Sequence, residues 1–197
     1  MSWLRDRILS EPPHAPPYVI ESMTERRAHR LVSIFGIDWM ATVTAAIAPL
    51  WIAAVGIAIS FGAQLGSGAG ERLLVGLAYG LLIAASIIIH QLGGALAGAL
   101  VGAPMRSVTF TATLPFNTYD ESPDIPGRVH VIRGLGEPVA NLLLGATMLV
   151  LYVAGLDSHF VLFLAVLNLA FFAIAMTPLP TMHGGVVLRY MKARGQL

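Results

Sequence analysis

The chain has 197 residues, 56% hydrophobic and 12% charged, with 12 basic and 11 acidic side chains and a formal net charge of +1. That charged share is about half the usual one for soluble domains, which excludes disorder and an ordinary water-soluble enzyme. The near-neutral balance gives no basic surface for nucleic acid. The absence of cysteine removes disulfides, thiolate metal sites and cysteine nucleophiles. What remains is a one-domain, multi-pass membrane protein.

Residues 1–38 read as a cytoplasmic N-terminal segment. It holds Arg5, Arg7, Arg26, Arg27 and Arg30 and has no apolar core of signal-peptide type. Glu11 to Pro17 is a proline-rich connector that regular helix cannot accommodate. Thr24 to Phe35 is expected to form an interfacial helix, with Arg26, Arg27 and Arg30 toward headgroups and Leu31, Ile34 and Phe35 toward lipid. Residues 39–197 then form the transmembrane domain. Four stretches without charge define spans near 39–61, 73–101, 138–155 and 160–178. Each meets or approaches the roughly 20 apolar residues that cross a hydrocarbon core.

The 12 basic residues give these spans a direction. Five lie in the N-terminal segment, three in the 102–134 loop, three after the last span, and Arg72 alone lies on the other side. The positive-inside rule therefore places both termini and the central loop in the cytoplasm, with the cell membrane as the expected location. The second charge-free stretch, 33 residues between Arg72 and Arg106, would reach about 50 Å as one helix. It is expected to tilt, emerge or break, with Gly93 and Gly94 among the weak points. Ser107 to Phe116 alternates Val108, Phe110 and Leu114 with threonines, the period-two pattern of a strand or hairpin on the cytoplasmic loop. Such a strand either seals the bundle or pairs an extended peptide along its edge. The expected class is thus an all-α polytopic membrane protein with four transmembrane helices and one short cytoplasmic strand or hairpin.

Ionisable groups at membrane depth are few and costly, so each is a candidate functional residue. They are His90 in the second span, Glu137 at the start of the third, and His183 in the broken stretch after the fourth. His90 lies about 27 Å along a helix from Arg72, toward the cytoplasmic half. Two histidines on separate helices do not by themselves make a zinc site. A third ligand could come from Glu137 or His130, although Arg133, four residues earlier, is the simpler partner for Glu137. Histidines at this depth can also carry protons or a metal ion.

Three segments together resemble the site-2 protease family of intramembrane zinc metalloproteases. Ile87-Ile88-Ile89-His90-Gln91-Leu92-Gly93-Gly94, with the small-residue helix and strand after it, resembles that family's His-Glu-x-x-His segment. Gly136-Glu137-Pro138-Val139-Ala140-Asn141 is similar to its Gly-Pro-x-x-Asn segment. Asn168 through Pro178-Leu179-Pro180 to His183-Gly184-Gly185 is similar to its last core helix, proline-rich break and Leu-Asp-Gly-Gly motif. The resemblance covers about residues 80–190 and implies a three-helix core with a cytoplasmic-side zinc site.

The departures fall on the chemistry. His90 matches the first zinc-binding histidine. Gln91 stands at the position of the catalytic glutamate, Gly94 at the second histidine, and His183 at the ligand aspartate. A glutamine amide cannot accept the proton of the attacking water, and glycine coordinates nothing. By this comparison no catalytic set is intact, and the expected function is a pseudopeptidase that binds or regulates a transmembrane segment of another protein in the bilayer. Asn141, Val108 and Phe110 are then the candidate substrate-binding residues. The alternative is a rewired zinc endopeptidase with His90, His183 and Glu137 as ligands; another is a histidine proton or metal relay. No cofactor is expected unless the metal site survives, in which case it is zinc.

Overall fold

The computed structural model describes residues 28–119, 126–179 and 182–193. Strands β1 (Ala28–Ile34) and β2 (Ile37–Thr42) form an antiparallel hairpin. Its two-residue turn puts Phe35 at φ +55° and Gly36 at φ +78°, the left-handed pair that matches strand twist. A 3₁₀ turn (Val43–Ile47) leads into α1 (Ala48–Gly62), with Pro49 in its first turn, where a missing N–H costs nothing. Helix α2 (Ala69–Leu100) runs back. Glu71 in its first turn accepts from the Ser67 backbone N–H at 2.7 Å and hydroxyl at 2.6 Å, closing the helix start. Strands β3 (Met105–Phe110) and β4 (Phe116–Tyr119) follow, then α3 (Gly127–Val153), α4 (His159–Ala175) and α5 (His183–Ala193).

The sheet order is β1-β2-β3-β4. β2 and β3 are parallel, from Asp38 opposite Ser107 to Ala41 opposite Phe110, with the α1–α2 helical hairpin as their crossover. β3 and β4 are antiparallel. Three helical stretches, Val43–Gly62, Ala69–Leu100 and Gly127–Val153, are long and apolar enough to cross a membrane; α4 is apolar and has 17 residues. Leucines and valines around α1 to α4 face outward, as a lipid-facing surface requires.

Several expectations change. The class is mostly helical with a four-stranded sheet, not all-α with one strand or hairpin. Ala28–Ile34 is a strand, so the interfacial helix expected over 24–35 does not form there; its first four residues and the proline-rich connector lie outside the described residues. The first apolar stretch begins its helical course at Val43, because Trp39–Thr42 belongs to β2. α2 does not break at Gly93-Gly94 but runs unbroken for 32 residues. α3 begins at Gly127 and continues through Pro138, well before the expected 138. Proline inside a membrane helix is tolerated where neighbouring elements re-satisfy the backbone.

The glycines expected to weaken α2 instead bring helices together. A Cβ on Gly93 would fall within 2.5 Å of the Ala140 Cβ and against the Gly136 carbonyl. Small residues at helix crossings permit this backbone approach in membranes, where packing rather than solvent exclusion drives association. Gly136 is the neighbour of Glu137, so the close approach carries that carboxylate across to α2.

Candidate metal centre

Helical spacing lines up two facing stripes. On α2, Ser86, His90 and Gly94 recur every four residues; on antiparallel α3, Asn141 and Glu137 do the same. His183 enters from the first residue of α5, directly after the broken stretch that follows α4. His90 Nε2 lies 3.2 Å and His183 Nε2 3.3 Å from the same Glu137 oxygen, Oε2. The two imidazole centroids are 5.7 Å apart. One ligand atom from each of the three residues falls within 4.8 Å of the others.

The other carboxylate oxygen is held from the sheet. Glu137 Oε1 accepts from Asn117 Nδ2 at 2.7 Å and from the Tyr119 hydroxyl at 3.3 Å. These residues alternate along β4, so both side chains reach one face. Burial, aided by the nearby Glu137 charge, pushes the Tyr119 phenol above its ordinary value and keeps it a donor. Arg133 lies over the Tyr119 ring, 4.1 Å from its centroid, and against His130 Nδ1 at 2.7 Å. The Arg133 pairing expected for Glu137 thus gives way to the two histidines and β4, and His130 turns to Arg133.

Gly94 explains how the carboxylate fits. A Cβ there would lie 2.6 Å from both Cγ and Oε1 of Glu137. The space that a side chain at 94 would use is filled by Glu137 from the facing helix. Behind His90 runs a buried polar chain: His90 Nδ1 meets Asn141 Oδ1, Asn141 Nδ2 donates to Asn168 Oδ1 at 2.7 Å, and Asn168 Nδ2 donates to Ser86 Oγ at 3.0 Å. Exposure differs across the cluster. The His90 and His183 side chains keep 19% and 25% of their surface and Glu137 keeps 8%, so approach is from the histidine side.

His90, His183 and Glu137 therefore come together. Gln91 does not join them; it is buried, and its Oε1 has no hydrogen-bond partner among the described residues. Asn141 is fully buried and its carbonyl is engaged by His90. Val108 and Phe110 sit on β3, whose two sides are paired to β2 and β4; of the two readings of 107–116, the paired hairpin is the one present, and β3 has no edge left for an extended peptide. Phe110 stacks on Trp39 and lines an apolar cavity of about 670 Å³ between α1, α2 and the β3–β4 connection. Ile87 and Ile88 on its wall precede His90 by one turn or less.

Asn117 and Tyr119 were not legible as site residues, because only their shared strand face marks them. Asn168 and Ser86 had a signal: a buried amide in an apolar helix, and a hydroxyl one turn before His90.

Two imidazoles and one carboxylate form a donor set known from catalytic zinc sites, and all three converge with their ligand atoms inward. The residues fit a zinc ion. No protein-family model matches the chain, and no characterised protein matches it in sequence. In structure the chain is similar to the Site-2 Protease from Methanocaldococcus jannaschii, 19% identical, with a TM-score of 0.58 over 85% of this chain and 72% of that one. The chain has a site-2-protease-like fold.

Proposed function

We propose that this is a four-span membrane protein that binds a divalent metal through His90, Glu137 and His183 and holds a transmembrane segment of another protein without cutting it. The observation that carries the reading is the exchange between facing helices: Glu137 occupies the space that a side chain at 94 would need, with its Oε2 shared by both histidines. This rebuilds a three-ligand set in place of the one expected from the resemblance. The sheet and both termini face the cytoplasm in this reading, with α4 as the shortest span.

A bound zinc would supply Lewis acidity and a water of lowered pKa. The chain's own residues provide three ligands and orient them. Glu137 serves as a ligand, with its remaining oxygen tied to Asn117 and Tyr119, so it is not free to take a proton. Gln91, at the base position, cannot take one either. That inventory, with no side chain placed to take the water's proton, supports binding without hydrolysis. The apolar cavity beside Ile87 and Phe110 gives a partner segment a place close to the centre.

Metal analysis of the detergent-solubilised protein, together with zinc and a panel of single-span peptides, tests the reading. About one zinc per chain, lost on His90→Ala or His183→Ala, with the peptides bound and uncut, is expected. Absence of zinc would overturn the metal centre and favour the proton relay. Cleavage that His90→Ala abolishes would overturn the non-cutting part and favour a rewired endopeptidase, the reading to which the His₂Glu donor set also lends itself.

A further inference from the structure

We infer that Asn168, which touches neither Glu137 nor a histidine ligand, sets the tautomer of His90 through Asn141 and so acts as a positioning residue for the metal centre. Backbone carbonyls can only accept hydrogen bonds. Asn168 Nδ2 lies 2.9 Å from the Leu164 carbonyl, so the amide nitrogen of Asn168 faces that way and its Oδ1 faces Asn141. Asn141 must then present its own nitrogen to Asn168 Oδ1, at 2.7 Å. The Ser86 carbonyl, 3.5 Å from the same nitrogen, favours that orientation too. Asn141 Oδ1 is left facing His90 Nδ1, and two acceptors cannot share that contact. His90 therefore carries a proton on Nδ1.

The consequence is at the other ring nitrogen. A neutral His90 with its proton on Nδ1 points a lone pair from Nε2 at the Glu137 carboxylate, 3.2 Å away. Lone pair facing carboxylate is repulsive unless a cation, a second proton or a metal ion, lies between them, so the relay leaves Nε2 open to one. The opposite tautomer would instead donate directly to Glu137 and close the site to a metal. Ligand histidines are held in the metal-binding tautomer by a hydrogen bond at their second nitrogen, and losing that support commonly lowers metal affinity 10- to 100-fold. Here the hold is one residue deeper, because an amide can turn over while a carboxylate need not. An asparagine at 141 can turn either way; Asn168, fixed by the helix carbonyl of Leu164, sets its orientation at 2.7 Å, with the Ser86 carbonyl at 3.5 Å as the weaker support.

The use of the tautomer rests on the metal-centre reading, but the tautomer itself does not. Nitrogen NMR of the histidine-labelled, metal-free protein, at a pH where His90 is neutral, reads it directly. His90 is expected to be protonated on Nδ1 in the unaltered chain. Asn168→Leu is expected to shift the proton population toward Nε2 and to weaken zinc binding about 10- to 100-fold. In the Asn141→Asp background residue 141 offers only acceptors, so adding Asn168→Leu should leave both the tautomer and zinc affinity unchanged. That rescue is one a merely structural role for Asn168 would not show. An Nε2-protonated His90 in the unaltered chain, or a tautomer unmoved by Asn168→Leu, overturns the inference. If the tautomers behave as stated and zinc does not bind, the metal-centre reading fails while the relay stands.

Discussion

The contact between Gly94 and Glu137 yields a prediction with a sign that depends on background. Gly94→Ala would add a Cβ 2.6 Å from Cγ and Oε1 of Glu137, well inside van der Waals contact. Overpacking of this kind costs about 1–3 kcal/mol. Replacing a helical glycine with alanine gains about 0.8–1 kcal/mol, since Gly94 lies within α2. The net loss in the unaltered chain is therefore about 0–2 kcal/mol. Glu137→Ala removes the three atoms that the new Cβ would meet first, Cγ, Oε1 and Cδ of Glu137. In that background the same Gly94→Ala change should be neutral or stabilising by up to about 1 kcal/mol. The double-mutant cycle, read from SDS-driven unfolding of the solubilised protein, should give a coupling of about 1–3 kcal/mol. A coupling below about 0.5 kcal/mol, the ordinary limit of additivity, would show that Glu137 does not occupy the space at 94 and would refute the exchange between the helices.

Three further outcomes follow from other contacts. Gly136→Leu, which forces side-chain atoms against Gly93 and Ala97, should separate α2 from α3 and abolish zinc binding even in the fraction that folds, measured by metal content after size-exclusion chromatography. Phe35→Asn should stabilise the β1–β2 hairpin by about 1 kcal/mol, because Phe35 sits at φ +55°, where asparagine is tolerated; slower amide exchange in both strands would report it. Burial holds the Tyr119 phenol above its ordinary value of about 10, so the unfolded chain loses that proton first as pH rises. Stability from this group is present below pH about 10 and lost above it, by up to about 1.4 kcal/mol per pH unit, and Tyr119→Phe should flatten that alkaline slope in a pH series of unfolding curves.

The parts of the fold that were legible in the sequence are those set by local chemistry. The apolar runs ended by Arg72, Arg106, Glu137 and Asp157 marked the helical spans, and the threonine alternation at 107–110 marked β3. β2 was hidden because Trp39–Thr42 continues directly into the apolar run of α1, so composition shows no boundary where strand becomes helix. β1 was misread because Arg26, Arg27, Arg30, Leu31 and Ile34 also fit a helical face. Strand pairing with β2, a contact to residues up to Thr42, decides between the two periods. The meaning of Gly93 was reversed for a similar reason: a glycine in isolation weakens a helix, whereas against Gly136 it permits a crossing.

The site divides along the same line. His90 and His183 stood out because imidazoles at membrane depth are rare. Glu137 was visible as a third ligand but local spacing pointed it toward Arg133, and only the antiparallel packing of α2 on α3 turns it toward the histidines. Gly94, read alone, is the loss of a ligand; beside Glu137 it is the room for a carboxylate. Asn117 and Tyr119 belong to the site through β3–β4 pairing, which no local pattern in the chain announces.

The central claim is that His90, Glu137 and His183 hold one metal together. X-ray absorption of the zinc-loaded protein tests it most directly. Two imidazole nitrogens and a carboxylate oxygen at about 2.0–2.2 Å are expected, with one nitrogen lost on His183→Ala and the carboxylate lost on Glu137→Ala. A zinc shell unchanged by either substitution would contradict it.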